Sequence, residues 1–107
     1  MATDREETVW EALGDRTRRE IVLRLSEGPS PVGELAADLP VSRSAVSQHL
    51  KVLKDAGLVA EKVAGTRRIY RLNEAGVIAL RDQINTFWNR ALSGFGDVVK
   101  QPREERA

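Results

Sequence analysis

The stretch from Ser42 to Leu53, SRSAVSQHLKVL, constrains this chain more than any other segment. At about 100° per residue, a helix here gathers Arg43, Ser44, Ser47, Gln48 and Lys51 on one side. Val46, Leu50 and Leu53 fall on the other with Ala45. The second set is a core face. The first holds hydroxyls, one amide and two cations, the side-chain types that hydrogen-bond base edges and phosphates. A helix that buries one side and offers small hydrogen-bonding groups on the other suits a DNA major groove. Polar helix faces are usually just solvated, so the flanking segments have to decide.

Upstream, Ser30-Pro31-Val32-Gly33-Glu34-Leu35-Ala36-Ala37-Asp38-Leu39 reads as a short helix. Ser30 is placed as its N-cap, Pro31 suits its first position, and Glu34 stands near the capping-box acid. Leu35, Ala36 and Leu39 mark its apolar side. Pro40 and Val41 break it, Val41 tucks into the turn, and Ser42 caps the next helix. Two short helices joined by about three or four residues form a helix-turn-helix whose second member is the reader.

Downstream, Gly57 sits where a C-terminal cap belongs. Leu58 to Val63 reads as a strand, Ala64-Gly65-Thr66 as a turn, and Arg67 to Leu72, alternating charge and apolarity, as a second strand. A helix-turn-helix followed at once by a basic hairpin is a winged helix. Between Arg43 and Arg71 seven cations face two acids, Asp55 and Glu61, in a chain whose net charge is only +1. Positive charge is therefore segregated onto the reader and wing, a pattern that points to nucleic acid; the bland counterpart is a salt-bridged surface hairpin.

The flanks are helical. Glu6 to Leu13 carries Val9, Trp10 and Leu13 as an apolar set. Asp15 is a good N-cap for a helix whose Ile21, Val22 and Leu25 face inward and which Gly28-Pro29 stop. Asn73 caps the last and longest helix, with Val77, Leu80, Ile84, Phe87, Trp88, Ala91, Leu92 and Phe95 at helical spacing and Gly94 and Gly96 weakening its end. That helix holds more apolar surface than a small winged helix needs for itself. The expected use is a dimer interface made by Val9, Trp10, Leu13, Ile84, Phe87, Trp88 and Ala91, since symmetric operators need a two-fold protein; the alternative is packing back onto the chain's own domain.

The fold class expected is therefore mainly α (α+β): four helices, a two-stranded wing and a long terminal helix, over residues 1–100 as one domain, with 101–107 a disordered tail. No apolar run approaches about 18 residues and no leader pattern opens the chain, so neither a membrane span nor secretion is supported and the cytoplasm is the default. With no cysteine, disulfides and thiol sensing are excluded.

Taken together and in order, several segments resemble the ArsR/SmtB family of bacterial repressors: Ala12-Leu13-Gly14-Asp15 with Thr17-Arg18-Arg19 and Ile21; Val32 to Ala36; Ser42 with Val46 to Leu53; Ala56 to Val59; and Gly65 with Arg67, Tyr70 and Leu72. The match runs from about Val9 to Phe95 and is closest to the cysteine-free, autorepressor-like members. The resemblance implies a homodimer joined through its first and last helices, and an imperfect inverted repeat as target, usually in the promoter of its own operon. It also implies release by an effector. The founding members hold metals with a Cys-x-Cys on the helix before the reader or with Asp and His pairs on the last helix. Here the first positions are Pro31 and Gly33, and His49, the one histidine, lies elsewhere. No metal and no cofactor is expected, and the effector stays unassigned. His49 itself reads as a partly buried residue that packs or hydrogen-bonds inside the helix-turn-helix, with a direct phosphate contact as the alternative.

On this reading the partner is double-stranded DNA. Arg43 suits guanine O6 and N7, Gln48 suits adenine N6 and N7, and Ser44 and Ser47 act at close range. Ser42, Lys51 and Thr17 are expected at phosphates, and Arg67 and Arg68 at the backbone or minor groove. Two rivals remain. A protein-interaction winged helix would more often show Leu, Phe or Met on the reader face. An enzyme would need a nucleophile, an acid–base pair or a phosphate loop, and none stands at a telling spacing.

Overall fold

The computed structural model describes residues 8–96, so the beginning of the expected first helix at Glu6 and the expected tail at 101–107 lie outside the described residues. Residues 8–12 are helical (α1). They are followed by α2 (Arg16–Leu25), β1 (Ser30–Pro31), α3 (Val32–Asp38), α4 (Arg43–Asp55), β2 (Val59–Ala64), β3 (Arg67–Leu72) and α5 (Glu74–Ser93).

The helix starts follow their capping residues. Asp15 Oδ1 accepts from the Arg18 amide at 3.0 Å, and Ser42 Oγ accepts from the Ala45 amide at 3.1 Å, each satisfying a donor the first turn cannot. The stops are equally local. Leu39 precedes Pro40 and is extended at φ −113° and ψ 146°, because the proline ring excludes a helical residue before it. At the end of α4, Gly57 turns left-handed at φ +83°. The Leu58 amide then reaches the Leu53 carbonyl at 3.0 Å and the Gly57 amide the Lys54 carbonyl at 2.9 Å. This is a Schellman motif, sealed by Leu53 and Leu58, both buried.

The expected two-stranded wing is present as part of a larger sheet. That sheet has three antiparallel strands in the order β1-β3-β2, with Ser30 opposite Tyr70 and Pro31 opposite Ile69. Ser30 is therefore a strand residue. The cap position of α3 belongs to Pro31, which makes no side-chain cap bond, and the helix begins one residue later than expected. Proline is admissible there because β1 is an edge strand. β2 and β3 pair from Val59↔Leu72 to Ala64↔Arg67, leaving Gly65 and Thr66 as the turn, with Gly65 at φ +65°.

The chain divides into two compact units, one ending at Val77 and the other starting at Ile78. In the first unit α2 and α3 pack on α4, and Ile21, Leu25, Leu35, Val46, Leu50 and Leu58 are buried together with Leu53. Asn73 closes this unit: its amide bonds the Leu58 carbonyl at 2.9 Å and its Nδ2 the Gly57 carbonyl at 3.1 Å. α5 starts so close to that corner that a Cβ on Gly76 would lie 1.9 Å from the Gly57 oxygen. Only glycine fits. The second unit is the remainder of α5 and the residues to 96; no residue of α5 is buried.

Candidate nucleic-acid interface

α4 presents the expected two faces. Val46, Leu50 and Leu53 are fully buried, while Arg43, Ser44, Ser47, Gln48 and Lys51 are all exposed. The buried side fixes the helix axis and its rotation, so the polar side is held in place without contacts of its own. Ser42 is exposed at the N-cap with its oxygen accepting from Ala45, leaving the hydroxyl proton for an outside acceptor. Thr17 is half-buried in the first turn of α2.

The wing comes up beside the reader. An open cleft of about 790 Å³ lies between α4, the start of α3 and the hairpin, and its walls include Arg43, Ser47, Lys51, Arg67 and Arg68. The structure thus gathers five of the nine expected DNA-contacting residues around one concavity. Ser42, Ser44, Gln48 and Thr17 do not line it.

Most of the cations here are engaged by acids. Lys51 Nζ bonds Asp55 at 3.1 Å, one helical turn away. Arg67 Nη2 meets Glu34 of α3 at 3.3 Å. Glu61 of β2 takes two at once: Lys54 Nζ at Oε1 and Arg68 Nη1 at Oε2, the latter at 3.3 Å. The Lys54 ammonium is the main reason that the Glu61 carboxyl is held below the usual carboxylate range, with Arg68 and the Tyr70 hydroxyl acting in the same direction. Hydrogen bonding to Glu61 raises Lys54 in turn. Arg43 is the exception, with no ion pair among the described residues.

Glu61, Lys54 and Tyr70 had no assigned role in the sequence. The available signal was weak: Glu61 is the one acid in the hairpin strands, and the strand register sets it opposite Tyr70. Arg18 was also missed as a structural centre. Its Nε donates to the Ala12 carbonyl at 2.6 Å and its Nη2 to the Glu11 carbonyl at 3.2 Å, capping the end of α1. Its Nη1 lies 3.4 Å from His49 Nδ1, which accepts because guanidinium only donates. His49 is half-buried, and the partner it meets is on α2. The Arg18 amide is the main reason that the Asp15 carboxyl lies below its ordinary range.

Of the residues expected at a dimer interface, Val9 is only 6% exposed within its own chain and belongs to the core. Leu13 and Ile84 are half-buried, and Ala91 is exposed. Trp10, Phe87 and Trp88 are exposed, with the rings of Phe87 and Trp88 edge to face at 5.3 Å.

The model of a family described as "Bacterial regulatory protein, arsR family" matches residues 15–61, from the N-cap of α2 into β2. The HTH-type transcriptional regulator Rv2034 of Mycobacterium tuberculosis is 57% identical over 100 residues, spanning 92% of this chain and 94% of that protein. This chain belongs to the ArsR family. Transcriptional repressor SdpR of Bacillus subtilis is a second relative, 32% identical over 90 residues and matched over 84% of this chain and 97% of its own length. Among solved structures, the homodimeric winged helix-turn-helix DNA-binding domain of Mb0332 from Mycobacterium bovis superposes with a TM-score of 0.70. It is 27% identical and covers 87% of this chain and 86% of that one. The ArsR-family chain is accordingly a winged helix-turn-helix regulator of transcription that acts on DNA, and not an enzyme. Among the described residues no helix is long and apolar enough to cross a membrane, and no group of three or more His, Cys, Asp or Glu is placed to hold a metal ion.

Proposed function

We propose that this protein is a repressor that binds, as a homodimer, an inverted-repeat operator in the promoter of its own operon, working in the cytoplasm at the nucleoid. One observation carries the DNA reading: α4 buries Val46, Leu50 and Leu53 completely and leaves Arg43, Ser44, Ser47 and Gln48 exposed in a row. Arg43, free of acids among the described residues, is the side chain for guanine O6 and N7, and Gln48 that for adenine N6 and N7. Ser44 and Ser47 read or position at short range. Ser42, Lys51 and Thr17 hold phosphates of the same half-site, and Arg67 and Arg68 hold the flanking backbone or minor groove. Repression is supported by likeness to SdpR.

The dimer is supported by the homodimeric state of the Mycobacterium bovis relative and by the exposure of Trp10, Phe87 and Trp88. Its contacts are Trp10, Leu13, Ile84, Phe87, Trp88 and Ala91; Val9 is buried in its own chain and is not among them. One domain reads and the α5 extension pairs it with a copy.

The test is a fluorescence-anisotropy titration of the full chain on the duplex upstream of its own gene, against a scrambled duplex, at two salt concentrations. A preference of at least about a thousandfold is expected, with a steep loss of affinity in salt for both duplexes. Equal, salt-fragile binding to both would refute the sequence-specific reading and favour a protein-interaction module.

A further inference from the structure

Five cations line the cleft between reader and wing: Arg43, Lys51, Lys54, Arg67 and Arg68. The acids that hold four of them are not alike. Asp55 and Glu34 are exposed, at 61% and 69% of their side-chain surface, and their pairs are single contacts. Such pairs open readily to a competing phosphate. Glu61 is only 17% exposed, and each of its oxygens binds a cation from a different element, Oε1 to Lys54 on α4 and Oε2 to Arg68 on β3. It is a fixed brace between the helix that reads and the hairpin that flanks it.

The brace leaves donors over. An ammonium has three N–H groups and a guanidinium five, and Glu61 engages Arg68 through Nη1 alone. Lys54 and Arg68 can therefore meet phosphates while Glu61 holds them. The carboxylate also subtracts one charge from the surface that a polyanion approaches. Those two effects act on different kinds of binding. Sequence-independent binding follows the number of phosphates neutralised and is indifferent to where each cation stands. Specific binding depends on phosphate contacts that fix register and orientation over the base edges.

We propose that Glu61 is a specificity-determining positioning residue, which lowers the attraction for any duplex and in return sets Lys54 and Arg68 in the one arrangement that seats α4 in register. This rests on the DNA-binding reading above. In the free chain the acid is already bound on both sides, so DNA finds Lys54 and Arg68 ordered and needs only their remaining donors.

The experiment compares the full-length wild type with Glu61→Gln, Lys54→Gln and Glu34→Gln. Two duplexes are used: the one the wild type enriches from a random-sequence pool, and a scrambled version of it. Thermal melts verify folding of each variant. Glu61→Gln is expected to tighten the scrambled duplex about fivefold, the increment of one added counterion-releasing contact near physiological salt. The enriched duplex gains less or loses, so discrimination falls by about the same factor. Lys54→Gln breaks the brace from its other end while removing a positive charge. It weakens the scrambled duplex, yet discrimination falls again, and this variant carries the test should Glu61→Gln not fold. Glu34→Gln removes an equal charge without touching the brace and should shift both duplexes together, leaving discrimination unchanged. Unchanged discrimination in both Glu61→Gln and Lys54→Gln would overturn the proposal, as would a fall in Glu34→Gln equal to theirs. A wild type that enriches no duplex at all would instead remove the DNA-binding reading itself, and this inference with it.

Discussion

α4 and α5 are both amphipathic, and they use their two sides in opposite ways. In the 13 residues of α4, Val46, Leu50 and Leu53 are buried by their own chain, and apart from Val52 the exposed side chains are polar. α5 has 20 residues and more apolar side chains, and buries none of them. Phe87 and Trp88 are 55% and 54% exposed. What α5 has to offer is apolar. Large exposed apolar side chains in succession on one helix mark an interaction surface, whereas Arg, Ser and Gln exposed over a filled core are side chains suited to base edges. On the proposed reading, one helix is completed by its own chain and faces DNA, and the other is completed by a second copy.

The comparison can be broken most severely at Leu50. Leu50→Ala removes a fully buried side chain from the centre of the first unit and should cost about 2–5 kcal/mol of unfolding free energy in denaturant titration. A cost below about 1 kcal/mol would mean that α4 is not held from beneath. Trp88→Ala comes next. Removing a central aromatic from an interface typically costs about 2 kcal/mol or more, so the dimer dissociation constant from sedimentation should rise at least about 30-fold, with the melting of an isolated chain little changed. A monomer–dimer equilibrium indifferent to the change would take α5 out of the interface.

Gln48→Ala should cost about 1–3 kcal/mol on the preferred duplex and relax the preference at one base position in each half-site, leaving scrambled DNA unaffected. Retention of the wild-type preference would assign reading to another face. The smallest effect is expected at Ser42→Ala, which deletes the cap accepting from Ala45 and should lower stability by about 1 kcal/mol in thermal or chemical melts.

What could be read in advance divides along the range of the interactions. The bounds of β3, Arg67–Leu72, coincide with the alternation of charge and apolarity in the sequence. The starts of α2 and α4 coincide with Asp15 and Ser42, because a capping side chain acts within three residues of itself. β1 was illegible: Ser30 pairs with Tyr70, and nothing within reach of Ser30 distinguishes a two-residue edge strand from a helix cap. The acid brace was illegible for the same reason, since Glu61 meets Lys54 only after α4 and β2 have packed. Val9 shows the limit of periodicity, which puts it on an apolar face without saying whether its own chain or a partner covers that face.

The most direct test of the division of labour between the two helices is protection of guanine N7 from dimethyl sulfate on the enriched duplex. That atom faces the major groove, where Arg43 would meet it. A dimer that reads through α4 should protect guanines in two clusters related by a two-fold axis, about 34 Å or twice that distance apart, and Arg43→Ala should abolish protection in both. Binding that leaves every guanine N7 accessible, or that protects a single cluster without symmetry, would contradict the account.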